Sequence, residues 1–234
     1  MDRQGNKYTF LYASVMVIVV ATILAFVSEA LTPLQKQNEK EAKMMDILQS
    51  VNIESSKENV ADKYEEFIGD NSYIVNNEGE QETGDAQAAF NVDLSREVRK
   101  PLSERQYPVY ECHLENGEIK YILPVRGKGL WGPIWGYVAL DDDKQTIYGT
   151  TFDHDSETPG LGAEIANQAF QKQFRDKRIF DESDELTSIQ VIKGEASPDD
   201  PHRVDGISGG TITSQGVEDM LEDYFEGYKA FLKN

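Results

Sequence analysis

Residues 8–28 read YTFLYASVMVIVVATILAFVS without a single charge, and this run constrains the chain more than any other feature. A helix rises about 1.5 Å per residue, so roughly 20 apolar residues cross the hydrocarbon core of a bilayer. One transmembrane helix is the expected outcome. The competing reading is a cleaved signal peptide, because Arg3 and Lys7 precede the run and Ser28, Glu29 and Ala30 loosely imitate a small-x-small cleavage site. The run exceeds the ~7–15 apolar residues usual in a signal peptide, which favours the anchor. Arg3 and Lys7 favour a cytoplasmic N-terminus, although Lys36, Lys40 and Lys43 weaken that bias. The bulk of the chain is then expected outside the cytoplasm. No ionisable residue interrupts the run, so this helix by itself offers no ion pathway.

With 234 residues, 39% of them hydrophobic, the chain is long enough for one soluble domain with a proper core plus a small accessory element. Its formal net charge of -19, from 42 acidic and 23 basic residues, repels nucleic acid and anionic lipid headgroups. A single cysteine, Cys112, allows no intramolecular disulfide and cannot ligate an iron-sulfur cluster alone. His113, His154 and His202 lie far apart, without zinc-type spacing, so no metal site is expected. Cys112 beside His113 does not define a hydrolase either, because a nucleophile and its base are matched by geometry in space and not by adjacency.

Beyond the apolar run, residues 34–49 place Leu34, Met44, Met45, Ile47 and Leu48 among Lys, Glu and Gln, which suits an amphipathic helix acting as a stalk. A short helix is expected over 59–67, and the polar stretch 69–87, with Asn76, Asn77, Gly79 and Gly84, reads as loop. From Tyr107 the pattern turns to β-type runs. Residues 107–125 form a hairpin about Asn116-Gly117, and strands follow over 134–140 and 146–152. Residues 163–175 carry helical spacing, 187–192 a strand, and 214–232 a closing amphipathic helix with Ser214 as its N-cap. The expected organisation is a membrane anchor over residues 1–33, a helical stalk and loop-rich linker over 34–100, and a ligand-binding domain over 101–234. The fold class is α+β with a mixed, mainly antiparallel sheet. Neither βαβ alternation nor GxGxxG is present, so a dinucleotide is not expected to bind here.

Three motifs could carry chemistry. In the first, glycines surround Arg126, Lys128, Leu130 and Trp131 without the spacing of a P-loop. It reads either as a glycine-rich turn with packed tryptophans or as amides and aromatic faces lining a planar cofactor. The second, Glu157-Thr158-Pro159-Gly160-Leu161-Gly162, joins a strand to a helix. It is either a ligand loop or a plain turn. The third, from Asp205 through Ser208, Gly209, Gly210 and Thr211 to Ser214, opens onto the last helix. Glycines and a helix N-terminus suit a phosphate beside Thr211, and an ordinary Ser/Thr-capped helix after a turn is the plainer reading.

In this order, GKGLWGPIWGYVAL, ETPGLGAEI and DGISGGTITS resemble the FMN-binding domain of the C-subunit family of the Na+-translocating NADH:quinone oxidoreductase. With the anchor, the likeness covers nearly the whole chain. The family's attachment motif, D-x-x-(S/T)-G-A-T, maps onto Asp205, Ser208, Gly209, Gly210 and Thr211. The resemblance implies that a flavin transferase esterifies the FMN phosphate to Thr211, with Thr213 the alternative acceptor. Gly210 departs from the usual alanine, which relaxes the backbone but leaves the acceptor hydroxyl in place. Leu130, Trp131, Thr158, Leu161 and Gly162 are the candidate flavin contacts.

The resemblance further implies an electron carrier in the inner membrane, single-pass, with its soluble domain in the periplasm. The other subunits of the complex would supply the NADH, iron-sulfur and quinone sites, so this chain holds no complete active site. The rivals are the homologous FMN subunit of an Rnf-type ferredoxin:NAD complex and a non-redox, membrane-anchored assembly protein.

Overall fold

The computed structural model describes residues 6–234; Arg3, one of the two basic residues used to orient the anchor, lies outside them. The chain divides into two units, Met1–Lys43 and Met44–Asn234. In the first, the apolar run belongs to helix α1 (Asn6–Ser50), which runs through Pro33. Among the described residues α1 is the helix long and apolar enough to cross a membrane, and its apolar window is unburied. Side chains such as Phe10, Val17, Ile18 and Phe26 stand exposed along it.

The second unit is built on one sheet. After α2 (Val60–Phe67) come β1 (Ser72–Val75), β2 (Gln81–Thr83), α3 (Ala86–Phe90), α4 (Leu94–Glu97), β3 (Tyr107–His113), β4 (Ile119–Lys128), β5 (Pro133–Leu140) and β6 (Ile147–His154). Then follow α5 (Gln168–Gln171), β7 (Gln190–Ile192), β8 (Arg203–Asp205) and α6 (Thr211–Leu232). The first six strands order as β2-β1-β3-β4-β5-β6, all antiparallel, while β7 and β8 make a small parallel pair. The Asn116-Gly117 turn joins β3 to β4, with Gly117 at φ 86, a left-handed conformation that glycine adopts without Cβ strain.

Side chains alternate across a strand, and here both faces are covered. Val109, Leu123, Val125, Val138 and Leu140 join the core formed with Val217, Leu221, Phe225 and Tyr228 of α6. Tyr110, Cys112, Ile122, Tyr137 and Ala139 face the other way, onto Met44, Ile47 and Leu48 of α1 and Val60 of α2. Two-sided burial explains why these strands read as nearly continuous apolar runs.

Three local expectations change. The stretch 69–87 holds β1 and β2, because Ser72–Val75 extends the sheet beside β3, with Val75 opposite Tyr107. The single helix expected over 163–175 is broken into two 3-10 turns around α5, with Asn167 extended at φ -81 and ψ 139. Ile165, Phe170 and Phe174 are all buried; their spacing does not make one helical stripe, and Gln171 spends its amide on the carbonyls of Phe152 and Ile165 at 3.0 and 3.3 Å. The last helix starts at Thr211, three residues before the expected cap.

Asp46, near the end of α1, is a stability liability. Burial, and then the charge of Asp153 on β6, push its carboxyl up to about 7. The folded state therefore binds the proton more tightly than the unfolded chain, and stability declines as pH rises from about 4 through about 7. Asp46→Asn is expected to raise the unfolding free energy at pH 8 by on the order of 2 kcal/mol and to flatten the decline between pH 5 and 8. Urea titrations of both proteins across that range check it.

Candidate functional site

The three motifs meet at the start of α6. Its N-cap is Gly210, and no side chain caps it, so amides of the first turn are left for an external acceptor, and the helix dipole favours an anion there. Ser214 does not act as the cap. Its Oγ instead accepts from the Ile207 amide at 2.9 Å, pinning the glycine turn back onto the helix. Gly209 takes φ 77, a left-handed conformation in which any other side chain is strained, and a Cβ there, 2.6 Å from Leu161 Cδ2, would also push that exposed side chain aside. Gly210 is crowded too: a Cβ there would lie 2.9 Å from Ile207 Cγ2 and 3.2 Å from the Leu161 carbonyl carbon. The alanine usual in the motif would need this loop to shift.

Thr211 and Thr213 differ sharply. Thr211 is exposed. Thr213 is 1% exposed, and its hydroxyl donates to Glu157 Oε2 at 2.6 Å. Oε1 of the same carboxylate accepts from the Trp131 amide at 2.8 Å. Glu157 thus ties its own loop, the Trp131 loop and α6 together. Burial opposes its ionisation, but the Thr213 hydroxyl, the amides of Trp131 and Gly132 and the nearby His154 together hold its carboxyl below the usual carboxylate range. The Trp131 loop is closed further by Gly129 N donating to Gly132 O at 2.8 Å.

Outside α1, the large apolar side chains that stand exposed among the described residues are Leu130 (46%), Trp131 (67%), Leu161 (42%) and Ile212 (59%). All four belong to the loops or the helix turn around Thr211. Apolar surface gathered in this way marks a binding site. Thr158 is exposed at the head of its loop, where its carbonyl accepts from the amides of Leu161 and Ala163 at 3.1 and 3.2 Å. Gly162 packs against Glu157 and Thr213 and has no room for a side chain. Ser208 is exposed. Asp205 is turned elsewhere, with its Oδ1 accepting from the Ala196 amide at 2.6 Å.

Ile212 was not among the residues singled out from sequence, and Glu157 entered only as the first letter of its motif. Ile212 could have been found from its place beside Thr211 in the first helical turn. Glu157 carried no such signal, because its partners lie 26 and 56 residues away.

An exposed hydroxyl, an uncapped helix start, close-packed glycines and an apolar rim lie together at the start of α6, and the FMN-binding domain family matches residues 129–226, which hold all of them. The likeness extends over the whole chain. A Pseudomonas aeruginosa relative, the C-subunit of the Na(+)-translocating NADH-quinone reductase, is 30% identical over 100% of this chain and 97% of its own. The Yersinia pestis relative of the same name is 41% identical over a shorter match, 53% of this chain and 48% of that one. The crystal structure of the same subunit from Parabacteroides distasonis superposes with a TM-score of 0.79 at 45% identity, covering 87% of this chain and 98% of that chain. The chain belongs to the C-subunit family of Na(+)-translocating NADH-quinone reductases.

Proposed function

We propose that this chain is the electron-carrier subunit of a membrane NADH:quinone oxidoreductase that exports Na+, with FMN held through its phosphate to Thr211. The observation that carries the reading is the exposed Thr211 hydroxyl at an uncapped helix start, ringed by Leu130, Trp131, Leu161 and Ile212. A flavin supplies reversible electron transfer; everything else at the site is done by protein groups. The first-turn amides of α6 and the Ser208–Gly210 turn would hold the phosphate, and Leu130, Trp131, Leu161 and Ile212 would supply apolar contact to the flavin.

Attachment follows from displacement at phosphorus. The Thr211 oxygen would attack the flavin-side phosphorus of a flavin dinucleotide: a P–O bond to Thr211 forms, the P–O–P anhydride bond breaks, the nucleoside monophosphate leaves, the hydroxyl proton passes to solvent or enzyme, and the ribityl phosphate ester stays intact. A flavin transferase performs this step. Thr213 is disfavoured as the acceptor because its hydroxyl is buried and committed to Glu157.

The helix α1 anchors the chain, single-pass, in the inner membrane, with the domain on the periplasmic side. NADH oxidation, quinone reduction and the ion path belong to partner subunits, since α1 carries no ionisable group within its apolar run. The test is a difference spectrum of native membranes on adding NADH. Flavin bleaching that is lost when this chain is deleted and restored by the wild-type chain supports the relay; a flavin on this chain that stays oxidised under NADH contradicts it.

A further inference from the structure

Glu157, 5% exposed, places its carboxylate where its own loop and the Trp131 loop meet the first turn of α6. It accepts from the Trp131 amide at 2.8 Å and from Thr213 Oγ1 at 2.6 Å, and the Gly132 amide supports it as well. Gly129 and Gly162 flank it so closely that a Cβ on either would strike a carboxylate oxygen. These glycines leave a space that the carboxylate fills.

The side chains displayed by the same loops, Leu130, Trp131 and Leu161, are exposed. Exposed side chains gain little from dispersion contacts, so the backbone must be held from beneath. Glu157 is placed to do that. Its partner Thr213 follows Thr211 by two residues in α6, which puts their Cα atoms about 5–6 Å apart. A fixed charge therefore sits next to the turn that carries the acceptor hydroxyl. In a poorly solvated setting such a charge acts on its neighbours far more than it would in water.

We propose that Glu157 is a positioning residue of the flavin site: its carboxylate fixes the Trp131 loop to the first turn of α6 and sets a buried negative charge beside the cofactor that lowers its reduction potential. The proposal rests on the flavin reading given above. An added electron makes a flavin more negative, and a fixed anion nearby opposes that.

The test uses the full-length chain in detergent, as wild type, Glu157→Ala, Glu157→Gln and Thr213→Val. In the chain expressed without a flavin transferase, hydrogen exchange of the segment 128–133 is followed by mass spectrometry. Glu157→Ala is expected to speed exchange at Trp131 and Gly132 by about tenfold or more, the factor that loss of a charged hydrogen-bond acceptor gives a local opening. In the flavin-loaded chain, normalised to the mass of the adduct, potentiometric titration reads the midpoint. Glu157→Gln, which keeps the volume and removes the charge, is expected to raise it. Thr213→Val keeps the charge and is expected to lower the Tm while leaving the midpoint near wild type. A Glu157→Gln midpoint equal to wild type, or unchanged exchange in Glu157→Ala, overturns the proposal. A wild-type chain that acquires no adduct contradicts the flavin reading instead, and the exchange arm then still decides whether Glu157 anchors the loop.

Discussion

Thr211→Ala is expected to abolish covalent flavin, leaving a folded chain of unmodified mass even when a flavin transferase is present. The substitution removes an exposed hydroxyl, so it costs little packing, and surface changes of this kind usually stay within about 0.5 kcal/mol. The neighbouring Thr213 is not expected to substitute. Its hydroxyl donates to Glu157 Oε2 at 2.6 Å from a buried position, and exposing it would break a charged hydrogen bond, at a cost of about 1.5–3 kcal/mol. Thr213→Val is expected to keep the adduct on Thr211. Intact mass and in-gel ultraviolet fluorescence of the two variants check both statements. An adduct moved to Thr213 in Thr211→Ala would show that the Glu157 contact does not restrain acceptor choice.

The second large effect concerns the fold beneath the site. Tyr228 of α6 is fully buried. Its ring meets Tyr107 at 4.9 Å and Phe231 at 6.5 Å between centroids, and its hydroxyl donates to Pro108 O at 2.6 Å. Tyr228→Ala removes a core aromatic and leaves a cavity, a change that costs about 3–5 kcal/mol. It also strands the Pro108 carbonyl. Tyr228→Phe keeps the ring and loses only the hydrogen bond, so about 1–3 kcal/mol is expected. In thermal unfolding the alanine variant should melt on the order of 10 °C lower than wild type and the phenylalanine variant only a few degrees lower. Equal losses from the two would mean that the hydrogen bond, and not the aromatic packing, holds α6 to β3.

Where a segment's neighbours are local in sequence, it was legible. The apolar run of α1, the Asn116-Gly117 hairpin and the strands over 134–140 and 146–152 follow from residue type and period alone. The small strands β1 and β2 were not, because only pairing of Ser72–Val75 with β3 makes that polar, turn-rich stretch a sheet edge. The broken helix over 163–175 was hidden for a related reason: Phe170 and Phe174 pack their rings against Phe152 of β6, Ile165 is buried in the same core, and tertiary packing overrode the local helical pattern. At the site, Thr211, the glycines and the rim residues Leu130, Trp131 and Leu161 came from motifs. Glu157 had to wait for the fold, since its role exists only once loops distant in sequence are brought together.

The start of α6 differs from the position that Ser214 predicts. A Ser before an apolar helical stripe is a reasonable cap, but here the hydroxyl serves the Ile207 amide. The cap position falls on Gly210. This displacement by one turn is what puts Thr211, rather than a residue inside the loop, at the first helical position.

The most direct test of the account is peptide mass mapping of the chain purified from its native membrane. The peptide spanning residues 205–214 is expected to carry one FMN esterified to Thr211, with fragment ions placing the added mass on that residue. The same peptide recovered quantitatively unmodified, or modified on any other residue, would contradict it.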